Sequence, residues 1–167
     1  ILARGETDWG IVAASLRSAD TRDALAPQDG LYTIAVRSAA GENLRVIGAA
    51  GEVLVAPEDP ERLIALLADP QIRIVTLTVT EAGYLRGADG HLDLTNPGVV
   101  ADIRALRADP QAVVTTTPGR IVAGLIGRRA ALAGKLAVVS CDNLSHNGEV
   151  LATVVAELAA EVDPGLV

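Results

Sequence analysis

Apolar positions along the chain fall into short continuous runs that alternate with helix-period segments. Residues 9–16 (WGIVAASL) read as a buried strand, and a short helix follows over residues 21–26. Asp29-Gly30 signals a turn, and residues 31–37 (LYTIAVR) alternate like a strand. Ala40-Gly41-Glu42-Asn43 then turns the chain into a second such strand at residues 44–47, which predicts a β-hairpin over about 31–48. Asp59-Pro60-Glu61 opens a helix with Asp59 as N-cap and Pro60 at the first helical position. Its apolar stripe is Leu63, Ile64, Leu66 and Leu67. Residues 73–79 (RIVTLTV) form the next strand, and a helix is expected near residues 99–107. Another runs from Thr117-Pro118 to about Leu132 with Ile121, Leu125 and Ile126 inward. Residues 136–140 are the last buried strand, and a final helix runs from Asn147-Gly148 through Glu161 until Asp163-Pro164-Gly165 ends it.

Strands alternating with helices imply an α/β fold, a mostly parallel sheet with right-handed crossovers and helices on both faces, with the hairpin added. In such sheets ligands bind at the carboxyl ends of the strands. Three strand ends carry chemistry. Asp20 lies just beyond the first strand, where dinucleotide-binding folds place a carboxylate on the adenosine ribose; Asp is also a common helix N-cap, and both readings stand. The second end, Thr78 to Tyr84, collects hydroxyls and the Glu81 carboxylate, with Gly83 permitting close backbone approach; a polar turn after a Thr-rich strand has the same composition. The third, Ser140-Cys141-Asp142-Asn143, brings an amide donor, Asn143, of the kind that stabilises a developing oxyanion, and a carboxylate, Asp142, that can order backbone amides or a cofactor hydroxyl.

Composition narrows the classes. One domain is expected from 167 residues, and the core must be Ala, Val, Leu and Ile, because Trp9, Tyr32 and Tyr84 are the only aromatics. A net charge of −7 with scattered arginines argues against nucleic-acid binding. No apolar run approaches about 20 residues and no signal-peptide pattern opens the chain, so a soluble, cytoplasmic protein is expected. Cys141, the single cysteine, excludes an internal disulfide, and it reads as a small buried residue, since no basic neighbour is evident to activate it. His146 reads as solvent-facing before the last helix, and Cys141 with His146 does not make a zinc signature, so no metal is expected. The sequence contains no Met and opens on Ile1-Leu2-Ala3-Arg4 like the end of a helix, so a piece of a longer protein is expected.

Four segments together resemble the N-terminal domain of the mannitol dehydrogenase family, the long-chain polyol dehydrogenases that include fructuronate (mannonate) and tagaturonate oxidoreductases. They are Thr7 to Ile11 continuing through Leu16-Arg17-Ser18-Ala19-Asp20; Ala26 to Thr33; Ile74 to Tyr84; and Ser140-Cys141-Asp142-Asn143-Leu144-Ser145-His146-Asn147-Gly148. The resemblance implies a Rossmann-like, metal-independent NAD domain of an enzyme that interconverts a polyol or hexonate and its keto sugar. It places Asp20, with Ser18, on the adenosine ribose; Thr80, Glu81 and Asp142 along the cofactor; and Asn143 on the substrate oxygen. A carboxylate at Asp20 favours NAD over NADP, because a unit charge about 4 Å from a 2′-phosphate costs about 4 kcal/mol at an effective dielectric of 20. Two family features are expected outside these residues: the Gly-rich turn after the first strand, before Ile1, and the catalytic Lys-x4-Asn-x2-His motif of a C-terminal helical domain, after Val167. Asn143-Leu144-Ser145-His146 has the Asn-x2-His spacing, but Val138 stands where the lysine should be. Residues 1–167 alone are therefore expected to be inactive on sugars. The alternative is a catalytically silent nucleotide-binding or interaction module of the same fold.

Overall fold

The computed structural model describes residues 8–167. The helix end read at Ile1 to Arg4, and Thr7 of the first matching segment, lie outside the described residues. The described residues gather into two compact units, residues 8–63 and 64–167.

In the first unit, β1 (Ile11–Ser15) pairs in parallel with β4 (Ala50–Val55), the register running from Val12 opposite Glu52 to Ser15 opposite Val55 after a slip at Ile11. Strand β4 carries no clear sequence signal: Gly48, Gly51 and the charged Glu52 interrupt it, leaving only Val53-Leu54-Val55 as an apolar run. Glu52 is there because it meets Arg62, whose Nη2 donates to Glu52 Oε2 at 2.9 Å. Helix α1 (Asp20–Leu25) packs on β4. Gly30, at φ +73°, ends the turn beyond it, and a side chain there would strike the Ala50 carbonyl. The hairpin is β2 (Tyr32–Ser38) against β3 (Gly41–Ile47), with Tyr32 opposite Ile47 and the turn at Ala39-Ala40, earlier than residues 40–43. An Arg37 to Glu42 ion pair at 2.9 Å lies opposite across the strands and supports that register.

In the second unit β5 (Ile74–Leu77) pairs in parallel with β6 (Ala137–Ser140), Ile74 opposite Ala137 and Leu77 opposite Ser140. Among the described residues the strands form three two-stranded sheets, two of them parallel. The expectation of buried strands is corrected here. Ile11 is 45% exposed, Ile74 50% and Val139 44%. The physical reason is pairing: among the described residues each parallel strand is hydrogen-bonded along one edge only, so its apolar alternation has no neighbour on the other.

Helix α2 (Pro60–Ala68) starts at Pro60, with the Leu63 N–H closing on the Asp59 carbonyl at 3.1 Å, and it buries Leu66 and Leu67. Helices α3 (Pro97–Ala108), α4 (Thr117–Ala130) and α5 (Asn147–Val162) enclose the core of the second unit, in which Tyr84, Val99, Leu106, Val122, Val154 and Leu158 are nearly or fully buried. Asn96 caps α3 by accepting from the Gly98 N–H at 2.9 Å, and Thr116 caps α4 by accepting from the Gly119 N–H at 3.0 Å. The buried Asp102 holds the entry to α4, accepting from the Thr115 N–H at 3.0 Å and the Thr116 N–H at 2.9 Å. Helix α4 stops at Ala130, short of Leu132, where the chain turns through a positive φ of 51°.

Arg128 is 3% exposed and closes the far end of α4. Its guanidinium donates only to carbonyls: Leu67 in the last turn of α2, Asp69 and Ile72 just after it, and Ala133, Gly134 and Lys135 before β6. No carboxylate takes part in these bonds, so removing the cation leaves six partly buried acceptors at once. Arg128→Met is expected to lower the unfolding free energy by about 3 kcal/mol, read by urea denaturation. A loss below about 1 kcal/mol, the worth of one ordinary hydrogen bond, contradicts this role.

Candidate functional site

The β5–β6 register brings two strand ends together, with the Cys141 N–H donating to the Leu77 carbonyl at 2.7 Å. Beyond β5 the chain enters a short helical turn, Glu81–Tyr84, for which Thr80 is the extended residue in front. A side chain at Gly83 would press within 3.0 Å of Val79 Cβ, which accounts for the glycine. Tyr84 is 1% exposed, its ring in the core, and its hydroxyl donates to Asp142 Oδ2 on the loop beyond β6. Asp142 Oδ1 accepts from the Leu144 N–H at 3.0 Å and from Asn147 Nδ2 at 3.1 Å. Asn147 Nδ2 also reaches the carbonyls of Ser140 at 3.3 Å and Asp142 at 3.2 Å.

Asn143 sits inside this frame with its side chain exposed and making no hydrogen bond among the described residues. Ser140 Oγ, at the end of β6, is buried beside the Tyr84 hydroxyl. Thr80 and Glu81 are exposed, and Glu81 lies 3.5 Å from Arg86. These two line an open groove of about 400 Å³ with Leu85, Asp93 and Asn96; Thr80, Asp142 and Asn143 are not on its wall. In that groove the Thr95 hydroxyl and N–H hold Asp93 below the usual carboxylate range.

Cys141, read as buried, is exposed instead: the apolar run stops at Val139 and its thiol turns outward, 3.8 Å from the Val139 carbonyl. His146 is exposed as expected, occupying the N-cap position of α5 at φ 55°, with Nδ1 3.6 Å from Glu149. Among the described residues no three His, Cys, Asp or Glu side chains gather as metal ligands.

In the first unit, the N-cap position of α1 is Ala19, and Asp20 is the first helical residue with no capping bond from its side chain. Its exposed carboxylate accepts instead from Ser18 Oγ at 2.9 Å. Arg22, two residues on, is drawn away to Glu58 and Asp23.

The sequence reading missed the clamp that Tyr84 and Asn147 make on Asp142. The burial of a tyrosine in a chain with three aromatics was a usable signal for Tyr84. Nothing local announced its partner 58 positions on.

A family model described as the mannitol dehydrogenase Rossmann domain matches residues 2–165. Mannitol 2-dehydrogenase of Cereibacter sphaeroides is 42% identical over 169 residues, covering 99% of this chain and 34% of that protein. Polyol:NADP oxidoreductase of Gluconobacter oxydans is 38% identical over 165 residues, covering 95% and 33%. The solved structure of Pseudomonas fluorescens mannitol 2-dehydrogenase in a ternary complex with NAD and D-mannitol superimposes with a TM-score of 0.87 at 38% identity, covering 99% of this chain and 34% of that one. The chain thus spans about a third of the length of the relatives it matches.

Burial first, and then the bond to Asp142, raise the Tyr84 phenol above the usual tyrosine range, against a smaller opposing effect of Ser140. The Tyr84 hydroxyl, aided by the Leu144 N–H and Asn147, holds Asp142 below the usual carboxylate range against partial desolvation. A lowered carboxyl gives stability that is present above its unfolded pKa and lost as pH falls; a raised phenol gives stability that is present below its unfolded pKa and lost as pH rises. The stability difference between wild type and Tyr84→Phe is therefore expected to be level from about pH 5 to pH 9 and to shrink toward about pH 3 and above about pH 10. Chemical denaturation across pH checks this, and a difference largest at either extreme contradicts it.

Proposed function

The chain belongs to the mannitol dehydrogenase family, and we propose that it is the NAD-binding Rossmann domain of a dehydrogenase interconverting a polyol or hexonate and its keto sugar. The observation that carries this reading is the Asn143 amide, unbonded among the described residues and exposed at the carboxyl end of β6 on a loop held from both sides. A group so placed can donate to a substrate oxygen as it becomes an alkoxide, at no cost in breaking an existing bond.

The residues present fit a bound dinucleotide. Ser18 Oγ orients the Asp20 carboxylate and leaves its second oxygen open to ribose hydroxyls, and the Asn143 amide is exposed at a strand end where ligands bind. When bound, NAD supplies the hydride acceptor. Asp20 and Ser18 hold the adenosine ribose, Thr80 and Glu81 border the cofactor beyond β5, and Asp142 borders it beyond β6 with both of its oxygens already engaged. The lone lysine, Lys135, lies before the amino end of β6, opposite to Asn143, and cannot serve as the base. The general base, the pyrophosphate-cradling turn and most of the sugar-reading groups come from chain outside these residues. Arg22 is committed to Glu58 and Asp23, and among the described residues neither it nor Arg17 forms an ion pair with Asp20, which supports NAD over NADP. The substrate pair is of the mannitol/fructose or mannonate/fructuronate type. A cytoplasmic bacterial enzyme fits the single cysteine, the Ala- and Gly-rich composition and the fact that no helix among the described residues is long and apolar enough to cross a membrane.

In the full-length enzyme Asn143→Ala is expected to lower kcat about 10²-fold, the usual effect of losing one oxyanion donor; steady-state kinetics on a polyol check it, and a change confined to KM contradicts the role. Asp20→Ala is expected to reduce the preference for NAD over NADP in kcat/KM by about tenfold or more, the exposed site screening part of the repulsion. An unchanged ratio of the two kcat/KM values contradicts the ribose assignment.

A further inference from the structure

Asn143 is held by something other than its own contacts. Among the described residues its side chain has no partner, so its aim depends on the two peptide groups beside it. The Asp142 carbonyl on one side accepts from Asn147 Nδ2 at 3.2 Å, and the Leu144 N–H on the other donates to Asp142 Oδ1 at 3.0 Å. Both restraints converge on Asp142, a residue of an exposed loop whose carboxylate could adopt several rotamers. What selects one is Tyr84, whose hydroxyl meets Asp142 Oδ2.

Tyr84 is suited to this because it cannot move. Its ring is 1% exposed and belongs to the core cluster with Val99, Val122 and Leu151. The path from core to loop is short: ring, hydroxyl, carboxylate, peptide. Neither Tyr84 nor Asp142 lines the open groove beside Glu81, and both oxygens of Asp142 already have donors.

We propose that Tyr84, acting through Asp142, is a positioning residue for the oxyanion donor Asn143, and that Asp142 serves the reaction by orienting its neighbour, in addition to any contact with cofactor. The proposal rests on the reading of Asn143 as the group that stabilises the substrate alkoxide. A misaimed donor loses transition-state stabilisation without altering how substrate is first bound, since geometry at the reacting atom matters most when charge develops there.

The test is a double-mutant cycle in the full-length enzyme with Tyr84→Phe and Asn143→Ala, following kcat, both KM values and thermal stability. Tyr84→Phe keeps the ring in the core and removes only the bond. It is expected to lower kcat about tenfold with both KM values within about twofold. The double variant is expected to be no slower than Asn143→Ala alone, because Tyr84 has nothing left to aim. Asp142→Ala, which removes both carboxylate oxygens and with them the link to Tyr84, is expected to reproduce the kcat loss and to serve if Tyr84→Phe folds poorly. Multiplying losses in the double variant, or a Tyr84→Phe enzyme with unchanged kcat, overturns the positioning role while leaving Asn143 as donor. An Asn143→Ala enzyme with full kcat overturns the parent reading and the proposal with it.

Discussion

The parallel hydrogen-bonded register of β5 on β6 is the constraint on which the candidate reactive wall depends. Because Leu77 stands opposite Ser140, the two strands end at the same level and their loops leave side by side. A slip of one residue would turn every side chain to the opposite face and carry Tyr84 out of reach of Asp142. The register is itself set by few bonds, since each strand is only four residues long. The helices enforce it: α4 and α5 pack on the turn that carries Tyr84, and α5 packs on β6.

Buried charge in this unit serves placement. Asp102 organises the amides at the start of α4, and Arg128 gathers carbonyls at its end. Helix α4 is thereby fixed at both ends by side chains bonded to backbone. The rest of the core is aliphatic and closely packed, as Val99, Val122, Val154 and Leu158 show by their near-complete burial. Polar anchors do in this domain what large aromatic rings do elsewhere: they make one arrangement preferable to several of similar apolar content.

Much of this was legible from local sequence. Pro60 and Pro118, each inside the first turn of a helix, mark starts that the structure keeps, α3 begins at Pro97, two residues before the expected 99, and the hairpin lies within a residue or so of the expected range. Strand β4 was hidden because Gly51 and Glu52 break its apolar run, and only the long-range meeting with Arg62 explains the glutamate. At the strand ends the types were readable and the geometry was not. Asp20 looked like a helix cap, yet Ala19 holds that position and Ser18 takes the carboxylate. Asp142 looked like a ligand contact, yet its visible bonds are to Tyr84, Leu144 and Asn147, and one of these lies 58 positions away. Pair distances of that length carry no periodicity, which is why residue roles lagged behind residue types.

The central claim is that the ends of β5 and β6 form a wall of the hydride-transfer site, with Asn143 turned toward the reacting oxygen. A crystal structure of the full-length enzyme with NAD and a bound polyol tests it most directly. The account predicts the Asn143 amide nitrogen about 3 Å from the oxygen of the carbon being oxidised, with the Tyr84–Asp142 bond intact. An Asn143 side chain pointing away from that oxygen, with the substrate held wholly by other groups, would contradict it.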